Sequence, residues 1–583
     1  MPGDHVATHP LRSRARVLLT SVFGPYAQDD EYGSRLINPM ELYHNQVTRT
    51  QGAYSLRMFH RSFGPMLLQA NIDAPCTVLD FPTQDGFIEQ IAGGAYDIIG
   101  ISAITANIGK VERMCALVRE HSPRATIVIG GHVANVPDIE QRIDADHVVK
   151  GDGVRWFRTF LGADEEQPVR HPVVISGFGG RMLGIPLREK PGDVAGILLP
   201  SVGCPVGCNF CSTSAMFGGK GKSINFFETG DELFEVMCQL EEKLQVQSFF
   251  VMDENFLLYR KRALRLLELM QEHDKTWSLY VFSSARTLRS YTMEQLVGLG
   301  VSWLWLGLEG EKSRYNKLNG IDTKALVREF QSHGIRVLGS TIIGLKSHTP
   351  ENIQSVIDYG VDHRTDFHQF MLYTPIPGTP LWEEHQRAGT LLPESEFGLA
   401  DIHGQYKFNY RHAHIRDGQE TDLLIGAFDR DFEVNGPSLL RLVRTTLAGW
   451  QRYRAHPDAR VRRRWQREAK KLRTDYTGAI WAMASHSADE PKWRDEARQL
   501  LRDLYREMGW PTRITAPIIG RYLSHTIARE QRRLDAGWTY EPPTICEKNL
   551  AAEALEDERR ARQPLPSANI AWATCQPSVV AGR

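Results

Sequence analysis

Three observations predict an α/β chain made of two parallel-sheet units and a helical C-terminal domain. Short apolar, β-branched runs alternate with helical stretches between about residues 16 and 152. The same alternation recurs six times between 194 and 392. Past about residue 395 the strand signal fades, and amphipathic, arginine-rich stretches take over. Strands spaced by helical crossovers imply parallel sheets, and 583 residues exceed what one core organises.

The first unit covers 1–177 and is a doubly wound parallel sheet. Its strands are "RVLLTSV" (16–22), "CTVLDF" (76–81), "YDIIGIS" (96–102), "ATIVIGG" (125–131) and "HVVKGD" (147–152), interrupted by a polar, aromatic insertion over about 23–71. Ligands of such sheets bind beyond the strands' carboxyl ends; Ser102, Thr105, Gly130 and Gly131 stand there. A stretch of low periodicity, 178–193, reads as a linker. The second unit, 194–392, has candidate strands at 196–202, 248–253, 278–284, 302–309, 336–345 and 367–375. Six β-α repeats favour a partial (β/α)6 barrel with its chemistry at the strands' C-terminal ends. Residues 393–540 read as a helical domain, and 541–583, rich in Pro, Ala and charge, as a partly disordered tail.

A formal net charge of −1 argues against nucleic acid as partner. No apolar run approaches the roughly 18 residues of a membrane span. The first residues lack an apolar core ending in a cleavage site, so the expected location is cytoplasmic. Eight cysteines make no disulfide framework in a chain of this length. Cys76, Cys115, Cys238, Cys546 and Cys575 are scattered, whereas "GCPVGCNFCST" (203–213) gathers Cys204, Cys208 and Cys211 directly after the first barrel strand.

Three thiolates at a barrel mouth admit two readings. A structural zinc site needs a fourth ligand, which only a residue distant in sequence could supply. A [4Fe–4S] cluster held by three cysteines leaves one iron open to a ligand and suits the loop better. Pro205, Gly207 and Asn209 bend the chain so that the sulfurs can face one point, and Phe210 offers an apolar cover.

CxxxCxxC after the first strand of a six-unit barrel resembles the radical SAM superfamily over about 193–390. The resemblance implies that S-adenosylmethionine (SAM) chelates the open iron and yields a hydrogen-abstracting 5′-deoxyadenosyl radical. By the same resemblance, Asp253 and Glu254 in "MDENFL" contact the SAM amino group, Arg286 in "SSARTL" the carboxylate and Glu309 in "GLEG" the ribose, while Ser284 and Phe210 also belong to the SAM site. Met-Asp-Glu stands where the family often has Gly-Gly-Glu, as in its branch with an N-terminal cobalamin domain. A Rossmann-like sheet ahead of the barrel is similar to that domain in class B, cobalamin-dependent radical SAM enzymes. The stretches "DIIGISAITANIGKV", "IVIGGHVANVPD" and "DHVVKGDG" carry this likeness, with Asp152 where relatives have Gly-Glu-Gly. It implies a corrinoid pocket walled by Ser102, Thr105, Gly130 and Gly131, with His132 near the corrin. "SVFGPYAQDDEYGS" has no histidine for a lower cobalt ligand.

Together these imply a methyltransferase that moves a methyl group from methylcobalamin to an unactivated carbon. Cyclisation, oxidation or rearrangement without methyl transfer is the alternative, and a non-catalytic iron–sulfur scaffold or sensor a third. A methylthiotransferase is disfavoured, because only Cys76 and Cys115 precede Cys204. Expected partners are a small-molecule or lipid-like substrate and an electron donor such as flavodoxin or ferredoxin. The insertion is expected to roof the corrin or contact substrate. The arginine-rich stretch 441–473 is open to a role at an anionic substrate or a peripheral membrane contact.

Overall fold

The computed structural model describes residues 6–26, 31–33, 41–310, 318, 320–416, 418–485 and 493–555. The N-terminal unit contains β1 (Val17–Thr20), β2 (Arg57–Phe59), β3 (Cys76–Asp80), β4 (Ile98–Ser102), β5 (Thr126–Gly130) and β6 (His147–Val148). Five of these form a parallel sheet in the order β3-β1-β4-β5-β6. Helices cover both faces, which is why these strands read as continuous apolar runs rather than as alternating ones. The order reverses between β1 and β4, so their carboxyl ends open the crevice where such sheets take ligands. Lys110, from the helix Ile108–His121, fixes one wall of that crevice. Its buried ammonium donates to the carbonyls of Phe23 (2.9 Å) and Pro25 (2.6 Å).

The stretch 178–193, expected to be a linker, contains a hairpin of β7 (Phe178–Met182) and β8 (Ile185–Pro186), with β7 also paired to β2. Its two-residue turn puts both Leu183 (φ 55°) and Gly184 (φ 76°) in the left-handed region, as the tightest hairpins require. Leucine at the first position hides that turn from composition, which looks there for Asn or Asp.

The barrel unit has six parallel strands in chain order: β9 (Gly196–Leu198), β12 (Ser248–Val251), β13 (Ser278–Ser283), β14 (Val301–Glu309), β15 (Arg336–Ile343) and β16 (Phe367–Leu372). The expected first strand is split. After β9 the chain breaks at Leu199-Pro200, and β10 (Ser201–Val202) pairs instead with β11 (Ile224–Asn225). Alternation along β13 and β14 sends Val281, Leu304, Leu306 and Leu308 outward into a core beneath the helices. Tyr280, Phe282, Trp303 and Trp305 point the other way and stack in a row with Phe250 and Phe367, at centroid separations of 4.5–5.8 Å between neighbours. The insertion packs on this inner face. Tyr43 meets Phe367, His60 meets Phe250, and Gln369 Nε2 donates to Gln46 Oε1 at 3.2 Å. Those described residues therefore plug the barrel.

Two further expectations change. Residues 541–583 were expected as a tail, but β17 (Ile545–Lys548) lies antiparallel on β3 and closes that edge of the N-terminal sheet. Asn549 fastens it, accepting from the Cys76 amide at 3.0 Å and donating to the Ala74 carbonyl at 2.9 Å. The arginines of the 441–473 stretch mostly face protein. Arg441 is paired with Asp431, Arg464 donates to the Val297 carbonyl, Arg467 to that of Thr276, and Glu468 binds Arg336 at 2.6 Å. Trp465 slots between Gly334 and Gly449, where any β-carbon would sit within 2.2 Å of its ring. Through Arg464, Arg467, Glu468 and Trp465 these helices buttress the barrel.

His368, on β16, is buried between the hydroxyls of Thr341 (3.0 Å) and Thr365 (2.9 Å), and burial lowers its pKa to about 3. The unfolded imidazole takes up its proton near 6.5 and the folded one does not. Stability is thus complete above pH 6.5 and falls as pH drops toward 3, by about 1.4 kcal/mol per pH unit. His368→Gln should flatten the pH dependence of the denaturation midpoint between pH 6.5 and 5; an unchanged slope would show that this histidine is not held neutral.

Candidate active site

The cysteine loop is pinched at its base by the β10–β11 pair. Gly203 (φ 82°) and Gly207 (φ 65°) turn it tightly; a β-carbon at Gly207 would lie 2.5 Å from the Lys220 Cα. Gly207 N donates to the Cys204 carbonyl (3.2 Å), Cys211 N to that of Cys208 (3.1 Å), and Ser214 Oγ to that of Cys204 (2.7 Å). Cys211 caps the short helix Ser212–Met216, its sulfur accepting from Ser214 N at 3.4 Å. All three cysteines are half-buried. Burial raises the Cys204 thiol to about 11, and the neighbouring Cys208 and Cys211 push in the same direction. Among the described residues no group of three or more His, Cys, Asp or Glu is gathered tightly enough for a single metal ion.

Glu254 stands beside this loop. Burial raises its carboxyl to about 7, the Gly203 amide bonds to it, and its buried Oε2 has no hydrogen-bond partner. A carboxylate with one desolvated, unmet oxygen fits an ammonium group. The expectation for Asp253 is corrected. Its Oδ2 accepts from Ser201 Oγ (2.5 Å) and Arg262 Nη2 (2.7 Å), and its Oδ1 from Asn255 N (3.0 Å). Both side chains of that ion pair are about 2% exposed, so Asp253 locks strand ends and leaves no oxygen for a ligand.

Ser284 is buried and caps the helix Ala285–Leu288, accepting from Thr287 N at 3.4 Å. Arg286 on that helix is exposed and has no protein partner among the described residues. Glu309 ends β14 buried, with a left-handed φ of 56° beside a register shift between Gly307 and Glu309. A non-glycine residue so held marks backbone strain of the kind found at ligand sites. Phe210 turns toward the last strand, edge-on to Tyr373 at 6.2 Å, with Ile342 and Leu381 around it. Asn209 Nδ2 donates to Tyr373 Oη (3.1 Å), and the Leu381 amide donates to the Asn209 carbonyl (3.0 Å). Nothing in the sequence marks Tyr373 or Asn209 as partners, because one follows the last barrel strand and the other the first, 164 residues apart.

Across the crevice, Ser102 ends β4 and Gly130 ends β5. Gly131 (φ 83°, ψ −172°) has a conformation open essentially to glycine alone, and a β-carbon there would lie 2.5 Å from the Ala103 carbonyl oxygen. Gly130 opens onto space, with nothing within 4 Å of a β-carbon. Thr105 is buried, and its hydroxyl donates to the His132 carbonyl at 3.4 Å. Burial lowers the His132 pKa, and its buried Nδ1 has no partner. The turn His132–Asn135 packs directly on the helix Ser212–Met216 of the cysteine loop. Asn135 also meets Gly378, beyond the last barrel strand. The turn that follows the open glycine cradle therefore touches the cysteine loop.

Comparison with known proteins agrees with this architecture. The B12 binding domain model matches residues 66–161, and the radical SAM superfamily model matches residues 198–360. The fold and site thus define a radical SAM barrel behind a cobalamin-binding domain. A B12 binding domain match ahead of a radical SAM match is the domain order expected of class B, cobalamin-dependent radical SAM enzymes. It is 26% identical to the bacteriochlorophyllide d C-12(1)-methyltransferase of Chlorobaculum tepidum, over 53% of this chain and 69% of that one. It is 24% identical to the anaerobic magnesium-protoporphyrin IX monomethyl ester cyclase of Rubrivivax gelatinosus, over 52% and 60%. The solved structure of TsrM, a radical SAM methyltransferase from Kitasatospora setae with cobalamin and a [4Fe–4S] cluster bound, aligns with 85% of this chain and 100% of that one, at 14% identity and a TM-score of 0.45.

The glycine pair yields a stability contrast. Gly131→Ala must strain the turn and collide with Ala103, costing about 2 kcal/mol. Gly130→Ala meets no protein atom within 4 Å and should stay within about 0.5 kcal/mol of the parent. Thermal unfolding of the two variants checks this; equal midpoints would contradict the geometry.

Proposed function

We propose that the chain is a cobalamin-dependent radical SAM C-methyltransferase acting on a small-molecule or lipid-like substrate in the barrel mouth. The packing of the turn His132–Asn135 on the cysteine-loop helix supports this reading, because it brings the two candidate cofactor half-sites next to each other. Cys204, Cys208 and Cys211 hold the cluster. Glu254 receives the SAM amino group, Arg286 its carboxylate with a cationic fork, Ser284 the neighbouring backbone turn, and Glu309 the ribose. Phe210 covers the cluster side. Ser102, Thr105, Gly130, Gly131 and His132 wall the corrinoid pocket. When bound, the cluster and SAM supply a hydrogen-abstracting radical, and cobalamin supplies the methyl group.

The chain's own residues then orient and shield. Glu254, its carboxyl raised by burial to about 7, is drawn to the ionised form by an ammonium and anchors it. Its own acidity reports whether that cation is present. The aromatic inner face from Phe250 to Trp305 excludes water, which keeps a reactive site from side reactions. An apolar or planar carbon skeleton matches those rings; both relatives described above are named for tetrapyrroles, one as a methyltransferase and one as a cyclase. A low-potential donor such as flavodoxin or ferredoxin supplies the electrons.

Protein made with cobalamin available and purified without oxygen should hold near one corrinoid and about four irons per chain. The C204A/C208A/C211A variant should lose the iron, keep the corrinoid and form no 5′-deoxyadenosine. With substrate and reductant, methyl transfer should release S-adenosylhomocysteine and 5′-deoxyadenosine together. Release of 5′-deoxyadenosine alone would move the assignment to cyclisation or rearrangement, and absence of corrinoid would remove it.

A further inference from the structure

The helix Trp510–Asp535 is the longest in the described chain and has an unusual outer face. Trp510, Ile514, Ile518 and Tyr522 are 72%, 57%, 64% and 59% exposed. Among the described residues no other element exposes more than one large apolar side chain. A spacing of four residues advances each side chain by about 40° around a helix, so the four form one continuous stripe about 18 Å long. The helix's other face is fully used. Thr512, Ala516, Gly520, Leu523, Ile527 and Glu530 are buried, and Glu530 holds Arg181 at 2.6 Å.

Along the stripe, from Trp510 to Arg529, the exposed charge is all positive. Arg513, Arg521, Arg529 and Arg532 are exposed beside the stripe. Arg521 lies over the Trp481 ring, and Arg513, Arg529 and Arg532 have no protein counter-charge among the described residues. No carboxylate is exposed between 510 and 529. The neighbouring helix Trp493–Met508 has none to spare: Asp495, Glu496, Asp503 and Glu507 are each paired with an arginine. This sets the helix apart from the 441–473 stretch, where Arg441, Arg460 and Arg464 are buried and the exposed Arg444, Arg454 and Arg463 are paired with carboxylates.

We propose that this helix is a docking surface for an anionic membrane, lying in the interface with its apolar stripe among the acyl chains and its arginines on the headgroups. Trp and Tyr suit that depth, since each has an apolar body and a polar tip, and arginine stems bury while their heads stay among phosphates. A basic, amphipathic helix of this length is the form that surface binding takes. No described helix is long and apolar enough to cross a membrane, so the contact is peripheral. A second copy of the chain fits the face worse. A two-fold interface sets the same patch against itself, and here that opposes Arg513, Arg521 and Arg529 to one another with no carboxylate between 510 and 529 to relieve them.

Co-sedimentation of the full-length protein with vesicles tests this. Vesicles of 70% phosphatidylcholine and 30% phosphatidylglycerol should bind the protein at low salt, and pure phosphatidylcholine should bind it at least tenfold more weakly. The I514S/I518S/Y522S variant should lose at least tenfold in vesicle binding, and R513Q/R529Q should lose the preference for the anionic lipid. All these positions are exposed, so the iron content and melting midpoint of both variants should match the parent. No binding to anionic vesicles, or binding unchanged in both variants, would overturn the proposal. So would a concentration-dependent dimer that the serine variant abolishes, which would give the stripe to a second copy.

Discussion

A radical barrel and a corrinoid domain are useful to one another only if their open ends meet, and in this chain the meeting depends on one small contact. The helix that Cys211 caps presses on the turn after Gly131. Both partners are set by backbone geometry rather than by long side chains. On one side a cysteine sulfur caps the helix, and on the other a glycine adopts a conformation that other residues avoid. Each has little freedom to shift without disturbing the ligand it frames. Much of the remaining architecture braces that seam. Lys110 holds the loop after β1, Asp253 and Arg262 lock the second barrel strand end, and residues 397–402 pack into the N-terminal core.

What the sequence disclosed followed the range of the interactions involved. The cysteine loop was legible because its ligands and its turn glycines lie within a few residues of one another. The parallel strands were legible because burial on both faces leaves unbroken apolar runs. Adjacent residues with similar chemistry were not separable. Asp253 and Glu254 are both acids at a strand end, yet one is consumed by Arg262 while the other keeps an unmet oxygen at the site. Only the three-dimensional placement of Arg262 decides which is which. Contacts between distant segments were equally hidden. β17 joins a strand more than four hundred residues earlier, and the insertion fills a barrel that begins well after it.

The helical region shows how the same composition can serve opposite ends. Arginines at 441, 464 and 467 are desolvated and repaid by carbonyls and carboxylates of the barrel wall. Those on the helix from 510 keep their charge in solvent next to exposed aromatic and aliphatic side chains. Charge density alone pointed to the former stretch as a surface. Burial and pairing reverse that order, because an arginine is available to a partner only when the protein has not already satisfied it.

The central claim is that cluster and corrinoid share one cavity. Electron paramagnetic resonance of the anaerobic protein loaded with cob(II)alamin tests it most directly, recorded before and after the cluster is reduced. Shared walls predict that reduction broadens or splits the cob(II)alamin signal through spin–spin coupling, and that C204A/C208A/C211A abolishes the effect. A spectrum that is the simple sum of two independent centres would place them apart and contradict the account.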